Sequence, residues 1–417
     1  MSEARAAYVL RSRRYALAAA GPILVSIAHF CTSFSMLRLE DPRSFGTFTM
    51  LFAVAIFTGS MASALFGAPV QTLPESDPEA RRETTDAIST AALAAALLAF
   101  PLAALLATIL RIDAAPAICY GLFVSLTVLR QFGRAWTYMA AQPRRVAASD
   151  ACYGLVLPTA LIAAIFVLGE RPVHAVFAAL ALAAFAALLG LGSGYSRLLR
   201  GARASKLRGF KRVWNGQSRW SLAAVAAAET ASNAHIYMLT AFVGAAAVAP
   251  IAASALLVRP IIVVQGALIE YERPQFVKHI HSDRRLELDR AIVWMRSALI
   301  LGWAGTVAVG AAILLYLPGL VFPAEYDLAN VALAAAFWAL LQFVIVAQIP
   351  EIVLMQSFNR YLFLARANVW AGAVNLLGVL AVISLGEPVW TVAALMPGWI
   401  LVMAMLRNAT RQVRSRS

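Results

Sequence analysis

Tyr195 to Gln217, YSRLLRGARASKLRGFKRVWNGQ, is the longest polar stretch in a 417-residue chain that is otherwise 61% apolar and only 13% charged. It holds seven basic residues and no acidic one. Spanning about 30 Å of hydrocarbon takes roughly 20 helical residues, and the sequence offers six such apolar stretches before this segment and six after it. Their expected bounds are 15–37, 45–69, 87–110, 115–139, 146–168 and 172–194, then 218–241, 246–270, 291–317, 328–354, 361–384 and 388–407. The expected organisation is therefore a six-helix lobe over 1–194, a basic linker over 195–217 and a second six-helix lobe over 218–417. The class is an all-α integral membrane protein.

Working outward, Lys and Arg crowd into every second connection. The segments at Arg11 to Arg14, Arg81–Arg82, Arg144–Arg145, Arg197 to Arg219, Arg273 to Arg290, Arg360 and Arg407 to Arg416 hold nearly all the loop cations, and the alternate connections hold only Arg38, Arg43, Arg111 and Arg171. Cytoplasmic loops carry the excess of Lys and Arg, so both termini are expected in the cytoplasm. The net charge of +14 then reads as a topology signal with affinity for anionic lipid headgroups, and no nucleic-acid partner is expected. Arg13 and Arg14 precede the first apolar run as in a signal peptide, but the run is too long for one and reads as a retained span. Cys31, Cys119 and Cys152 lie inside apolar runs with no CxxC or metal-ligand spacing, so neither a disulfide framework nor a metal is expected.

Weak internal similarity follows the same division. Asp150 and Gly154 in the fifth span align with Asn368 and Gly372 in the eleventh, and Arg81–Arg82 align with Arg284–Arg285. Same-numbered spans correspond, and with six per half both lobes share one orientation. That is a parallel repeat about an axis along the membrane normal.

Leu37 to Phe48, LRLEDPRSFGTF, is an acidic-proline turn followed by Phe-Gly-x-Phe at the start of the second span. Arg134-Ala135-Trp136-Thr137-Tyr138 and Gln142-Pro143-Arg144 close the fourth. These segments resemble the bacterial polysaccharide flippases of the multidrug/oligosaccharidyl-lipid/polysaccharide exporter superfamily. From Phe242 to Ile251 the chain departs from the family, with Val248-Ala249-Pro250 where many relatives carry Gly-x-Tyr. The resemblance implies a V-shaped pair of lobes around a central cavity and movement of lipid-linked sugars, or in other branches drugs, by alternating access. It implies no enzyme activity and no cofactor, and the sequence has no GxxxxGK[ST] phosphate loop.

Charges at mid-bilayer are costly and mark candidate sites. Arg259 in the eighth span and Glu229 in the seventh both fall near mid-depth. One reading is a buried ion pair; the other has Arg259 binding a diphosphate through its planar fork, with Glu229 holding it or coupling to an ion. Pro260 is expected to kink the helix there. Arg130 and Arg134 share a face of the fourth span, the first either lining the cavity or paired structurally, the second near enough to the inner surface to snorkel. His29 lies mid-way along the first span, and Asn233 continues the Glu229 face towards His235. Glu351, Arg366, Arg296 and Asp150 are expected in ion pairs near the cytoplasmic interface. Gly190 and Gly194 permit close helix approach, and 197–219 reads as an amphipathic helix on the inner leaflet.

The leading expectation is translocation of an undecaprenyl-diphosphate-linked oligosaccharide across the bacterial inner membrane during assembly of O-antigen, capsule or exopolysaccharide. Other membrane proteins of that assembly are possible partners. A cation-coupled drug exporter of the same superfamily is the alternative. A membrane-embedded polymerase or ligase is less favoured, because the external connections are too short to hold an active-site domain.

Overall fold

The computed structural model describes residues 2–73, 78–282, 284–358 and 360–416, with side chains left aside at 2–20, 270, 281 and 412–416. Arg5, Arg11, Arg13, Arg14, Arg414 and Arg416, part of the expected topology signal, therefore lie outside the described side chains. The described chain is helical throughout. Its long helices are α1 (Ser2–Leu39), α2 (Pro42–Gln71), α3 (Pro78–Ile109), α4 (Ala114–Met139), α5 (Pro143–Val167) and α6 (Pro172–Gly190). After the short α7 (Ser193–Arg200) come α8 (Arg219–Phe242), α9 (Ala245–His281), α10 (Arg285–Tyr316), α11 (Leu328–Ser357), α12 (Tyr361–Ser384) and α13 (Met396–Arg416).

Eleven of these helices, counted over described residues, are long and apolar enough to cross a bilayer. The chain is a multi-pass membrane protein. Helix α8 corresponds to the expected seventh span and has 24 residues. Glu229, Ser232, Asn233 and His235 dilute its apolar content, and it is not among the eleven. Proline opens several helices: Pro143 and Pro172 occupy first-turn positions, where the missing N–H costs nothing. The turn between α8 and α9 passes through Gly244 at φ 113°, a conformation that side chains with a Cβ rarely adopt.

The chain forms two compact units, Met1–Thr32 with Leu51–Val225 and Ser33–Met50 with Ala226–Ser417. In the first, Ala175, Ala179, Ala183 and Ala187 form a buried stripe along α6. Four-residue spacing puts them on one face, and small side chains let backbones approach. Gly190 ends the stripe: a Cβ there would lie 2.7 Å from the Ser149 Cα. The aromatic tips are satisfied inside the bundle, with Tyr120 donating to the Leu51 carbonyl at 2.8 Å and Tyr195 to the Leu129 carbonyl at 2.6 Å. The basic stretch after α6 is not one continuous amphipathic helix. It breaks into α7, a tight turn over Ala204–Gly209 and shorter helical turns up to Ser218. Phe210 packs on Phe66, and the Ser218 hydroxyl donates to the Leu65 carbonyl at 2.7 Å.

In the second unit, Asn375 on α12 is fully buried and joins three helices. Its Nδ2 donates to the Ala231 carbonyl of α8 at 2.7 Å, and its Oδ1 accepts from the Gly398 N–H in the first turn of α13 at 3.0 Å. First-turn N–H groups have no partner within their own helix, so Asn375 supplies one. Gly398 is needed here, because a Cβ would lie 2.2 Å from that Oδ1. Asp41 caps α2: its carboxylate accepts from the Arg43 and Ser44 N–H groups and from the Ser44 hydroxyl. These bonds, that from the Ser44 hydroxyl foremost, hold its pKa below the ordinary carboxylate value.

Replacing Asn375 by Leu removes both bonds and strands the Gly398 N–H, while the Ala231 carbonyl keeps its place in the α8 ladder; it should cost about 1–3 kcal/mol, read as a lower melting temperature of the purified protein in detergent. Asp41→Ala should cost about 1 kcal/mol at neutral pH. Because the Asp41 pKa is depressed in the fold, its contribution is present above the ordinary carboxylate range and is lost as pH falls through the depressed value. The melting difference between Asp41→Ala and wild type should therefore shrink in acid; a constant difference would contradict the cap.

Candidate functional site

Helix α4 places Arg130 and Arg134 one turn apart on one face, as the four-residue spacing requires. Helix α5 brings Asp150 between them. Arg130 Nη2 lies 2.7 Å from Asp150 Oδ1, and Arg134 Nη2 lies 3.1 Å from Oδ2. The Asp150 side chain is 1% exposed and that of Arg130 6%, whereas that of Arg134 is 21% exposed. Only the first contact is an aligned hydrogen bond; Oδ2 accepts none, so Arg134 acts on it as a through-space charge. Arg130 is about 13 Å along the axis from the C-terminal end of α4, at 1.5 Å per residue, well below any headgroup its side chain reaches.

Tyr153, one turn along α5 from Asp150, completes the setting. The Arg130 guanidinium stacks over its ring with Cζ 4.3 Å from the centroid, a cation–π contact made strong by exclusion of water. The Tyr153 hydroxyl shares a 2.9 Å hydrogen bond with His29 Nε2 from α1, and the His29 ring meets Tyr153 and Phe52 edge-on. Gly21 lets α1 approach: a Cβ there would fall 2.6 Å from Asp150 Oδ2. Three helices thus converge on two guanidiniums and one carboxylate. One positive charge exceeds its compensation, and the Arg130 Nε is buried without a hydrogen-bond partner. The cluster can hold an anion beside Arg134, its exposed member.

The cluster gathers Arg130, Arg134 and His29 from among the residues picked out in the sequence, and adds Asp150 and Tyr153. Asp150 was expected in an ion pair near the cytoplasmic interface, and it forms one, with Arg130 and Arg134 of this cluster. Polar residues three apart in the otherwise apolar fifth span were the available signal. Of the other interfacial charges, Arg296 and Glu351 form an ion pair, while Arg366 makes none among the described residues.

The second unit is arranged differently. Glu229 accepts a hydrogen bond from the Tyr237 hydroxyl, eight residues along α8, and does not pair with Arg259. Of the two readings of this pair, the Glu229–Arg259 ion pair is not formed; a phenol on its own helix holds the carboxylate. Arg259 is half-buried on α9 and makes no hydrogen bond or ion pair among the described residues. Asn233 is half-buried and likewise without a polar partner among them. His235 is a packing residue, fully buried with its ring edge-on to Trp338 at 5.5 Å. Among the described residues no group of His, Cys, Asp and Glu could hold a metal ion.

No protein-family profile matches the chain, and no curated protein matches it in sequence. Solved structures do match. The lipid II flippase MurJ in an inward closed conformation superposes with a TM-score of 0.71 at 9% identity, covering 95% of this chain and 87% of that one. The fold is that of the MOP-superfamily transporters. An inward-facing multidrug resistance MATE family transporter of that superfamily has a TM-score of 0.64 at 13% identity, covering 94% of this chain and 95% of the other. A MOP superfamily transporter from Pyrococcus furiosus, described by the reversed polarity of its binding pocket, gives 0.64 at 12% identity, with 97% and 96% covered. At these identities the likeness speaks for the MOP fold, and substrate has to be argued from side chains.

Asp150→Asn leaves the buried Arg130 guanidinium, and Arg134 beside it, without a counter-charge and should cost about 3–5 kcal/mol, visible as a large drop in melting temperature. Arg134→Gln, which removes the more exposed partner, should cost far less. Equal effects of the two substitutions would contradict the asymmetry of the cluster.

Proposed function

We propose that this protein moves a lipid-linked oligosaccharide, carried on undecaprenyl diphosphate, from the cytoplasmic to the outer leaflet of a bacterial inner membrane by alternating access. It would act during assembly of O-antigen, capsule or exopolysaccharide. The observation that carries this reading is Arg259. A charged side chain at mid-span costs about 3 kcal/mol on insertion scales, and here no carboxylate among the described residues offsets it. A diphosphate passing along α9 supplies the missing counter-charge, in bidentate geometry that suits a guanidinium. The excess positive charge at Arg130 and Arg134 supports the same polarity of substrate.

The MOP fold supports transport, and the motifs at 37–48 and 134–144 support the polysaccharide branch. Orientation follows from the arginine asymmetry, with both termini cytoplasmic. On this reading the partners are the lipid-linked sugar, anionic lipids and other membrane proteins of the same assembly line, and no chemical step is catalysed.

A second reading rests on Glu229, a carboxylate within α8 that faces a phenol and no cation. A carboxylate within a span is the kind of group that a cation-coupled drug exporter requires. The two readings separate by substitution. In a strain that depends on this protein for surface polysaccharide, Arg259→Gln should abolish export and accumulate the lipid-linked intermediate, with Arg259→Lys retaining a fraction. Glu229→Gln should leave export within a few-fold of wild type. Normal export with Arg259→Gln, together with new drug sensitivity from Glu229→Gln, would support the exporter instead.

A further inference from the structure

At the basic end of the first unit, a cleft of about 860 Å³ opens between the start of α3, the end of α4 and the segment after α6. Its walls carry Arg81 and Arg82 from α3 on one side and Arg197, Arg203 and Lys206 on the other. The lining holds one carboxylate, Asp86, and Lys206 already binds it at 2.5 Å. Four guanidiniums, two on each wall, therefore have no carboxylate among the described residues. Arg81 has only the Met139 thioether sulfur as a side-chain acceptor, at 2.8 Å, and the Arg82, Arg197 and Arg203 side chains have none among the described residues. Helix α3 also points its N-terminus into the cleft, adding the positive end of its dipole.

The cleft is built rather than incidental. Tyr195 anchors α7 to the Leu129 carbonyl, the Arg203 N–H is bound by the Thr90 hydroxyl at 3.4 Å, and the Lys206–Asp86 pair fastens the far wall to α3. Four like charges held together by such fixed points repel one another unless an anion joins them. Trp136, Met139 and Leu198 give the cleft an apolar side, which a free inorganic ion does not need.

We propose that this cleft binds an anion carrying two phosphoryl groups, one to each pair of arginines, presented by a lipid headgroup whose glycerol and first chain carbons lie against Trp136, Met139 and Leu198. On the topology reading that lipid belongs to the cytoplasmic leaflet. Its lining shares no residue with the groups assigned to the transported molecule.

The test is binding to the purified full-length protein in detergent, read by native mass spectrometry and by the shift in melting temperature. The probes are cardiolipin with its two phosphates, phosphatidylcholine and inorganic pyrophosphate. Cardiolipin should bind at least tenfold tighter than phosphatidylcholine. Arg197→Gln with Arg203→Gln should weaken it by roughly thirty-fold, taking each basic residue at its usual worth beside an anionic lipid. Arg208→Gln with Arg212→Gln changes the net charge of the same segment equally but lies outside the cleft lining, and should leave binding within about twofold. If the double cleft variant does not fold, Arg82→Gln alone should still lose several-fold. Tight pyrophosphate binding that depends on the same arginines, without cardiolipin binding, would overturn the lipid source and keep the diphosphoryl site. Equal losses in the cleft and control variants, or equal binding of phosphatidylcholine, would overturn the site. Neither result bears on export by Arg259→Gln, so this proposal and the transport reading fail independently.

Discussion

The contact of Asp150 with Arg130 is the interaction on which the polar interior of the first unit depends. In a bundle of apolar helices a buried charge is costly unless it is paired, and here the carboxylate and guanidinium are paired with each other and held by their near neighbours. The arrangement uses every route available: a direct hydrogen bond, a second guanidinium at 3.1 Å, an aromatic face under Arg130 and a histidine steadying that aromatic. Helix α1 enters this arrangement only because Gly21 has no side chain to meet Asp150. One contact thus ties together α1, α4 and α5.

The second unit solves much of its polar problem with neutral groups. Asn375 satisfies backbone groups on two neighbouring helices, Tyr237 occupies Glu229, and Trp338 covers His235. Arg259 receives nothing comparable. The proposal of an anionic substrate rests on this contrast between Arg259 and the well-satisfied Asp150 and Asn375.

Much of this was legible in the sequence, for physical reasons. Stretches of about twenty apolar residues mark spans because bilayer thickness fixes their length, and seven of the twelve expected spans fall wholly within observed helices, the last of them over Pro388–Arg411. The third, fifth, seventh and ninth overrun theirs by one residue, at Leu110, Leu168, Ser218 and Leu317, and the sixth ends at Gly194, in α7 beyond α6. Helix α8 was legible by its place in the order more than by its composition, since Glu229, Asn233 and His235 weaken the apolar signal. The charges were located but not their partners. Depth along one helix says nothing of which face a residue turns to its neighbours, so the ion pair expected of Asp150 stood without Arg130 and Arg134 as its partners. The pairing of Glu229 with Arg259 failed for the same reason: proximity in depth is necessary for an ion pair, but a tyrosine on the same helix was better placed. Gly21 carried no signal, because a glycine in an apolar run looks alike whether it meets a carboxylate or a lipid.

The central claim is that an unpaired arginine within the membrane serves an anionic lipid-linked substrate. The most direct measurement is scrambling by the purified protein in liposomes of a fluorescent polyprenyl diphosphate sugar, followed by loss of the label at the outer leaflet to a membrane-impermeant quencher. The account predicts that wild type exposes lipid from both leaflets, that Arg259→Gln exposes only the outer half, and that a neutral polyprenyl sugar lacking the diphosphate is not moved. Equal movement of the neutral and diphosphate lipids, or full activity of Arg259→Gln, would contradict it.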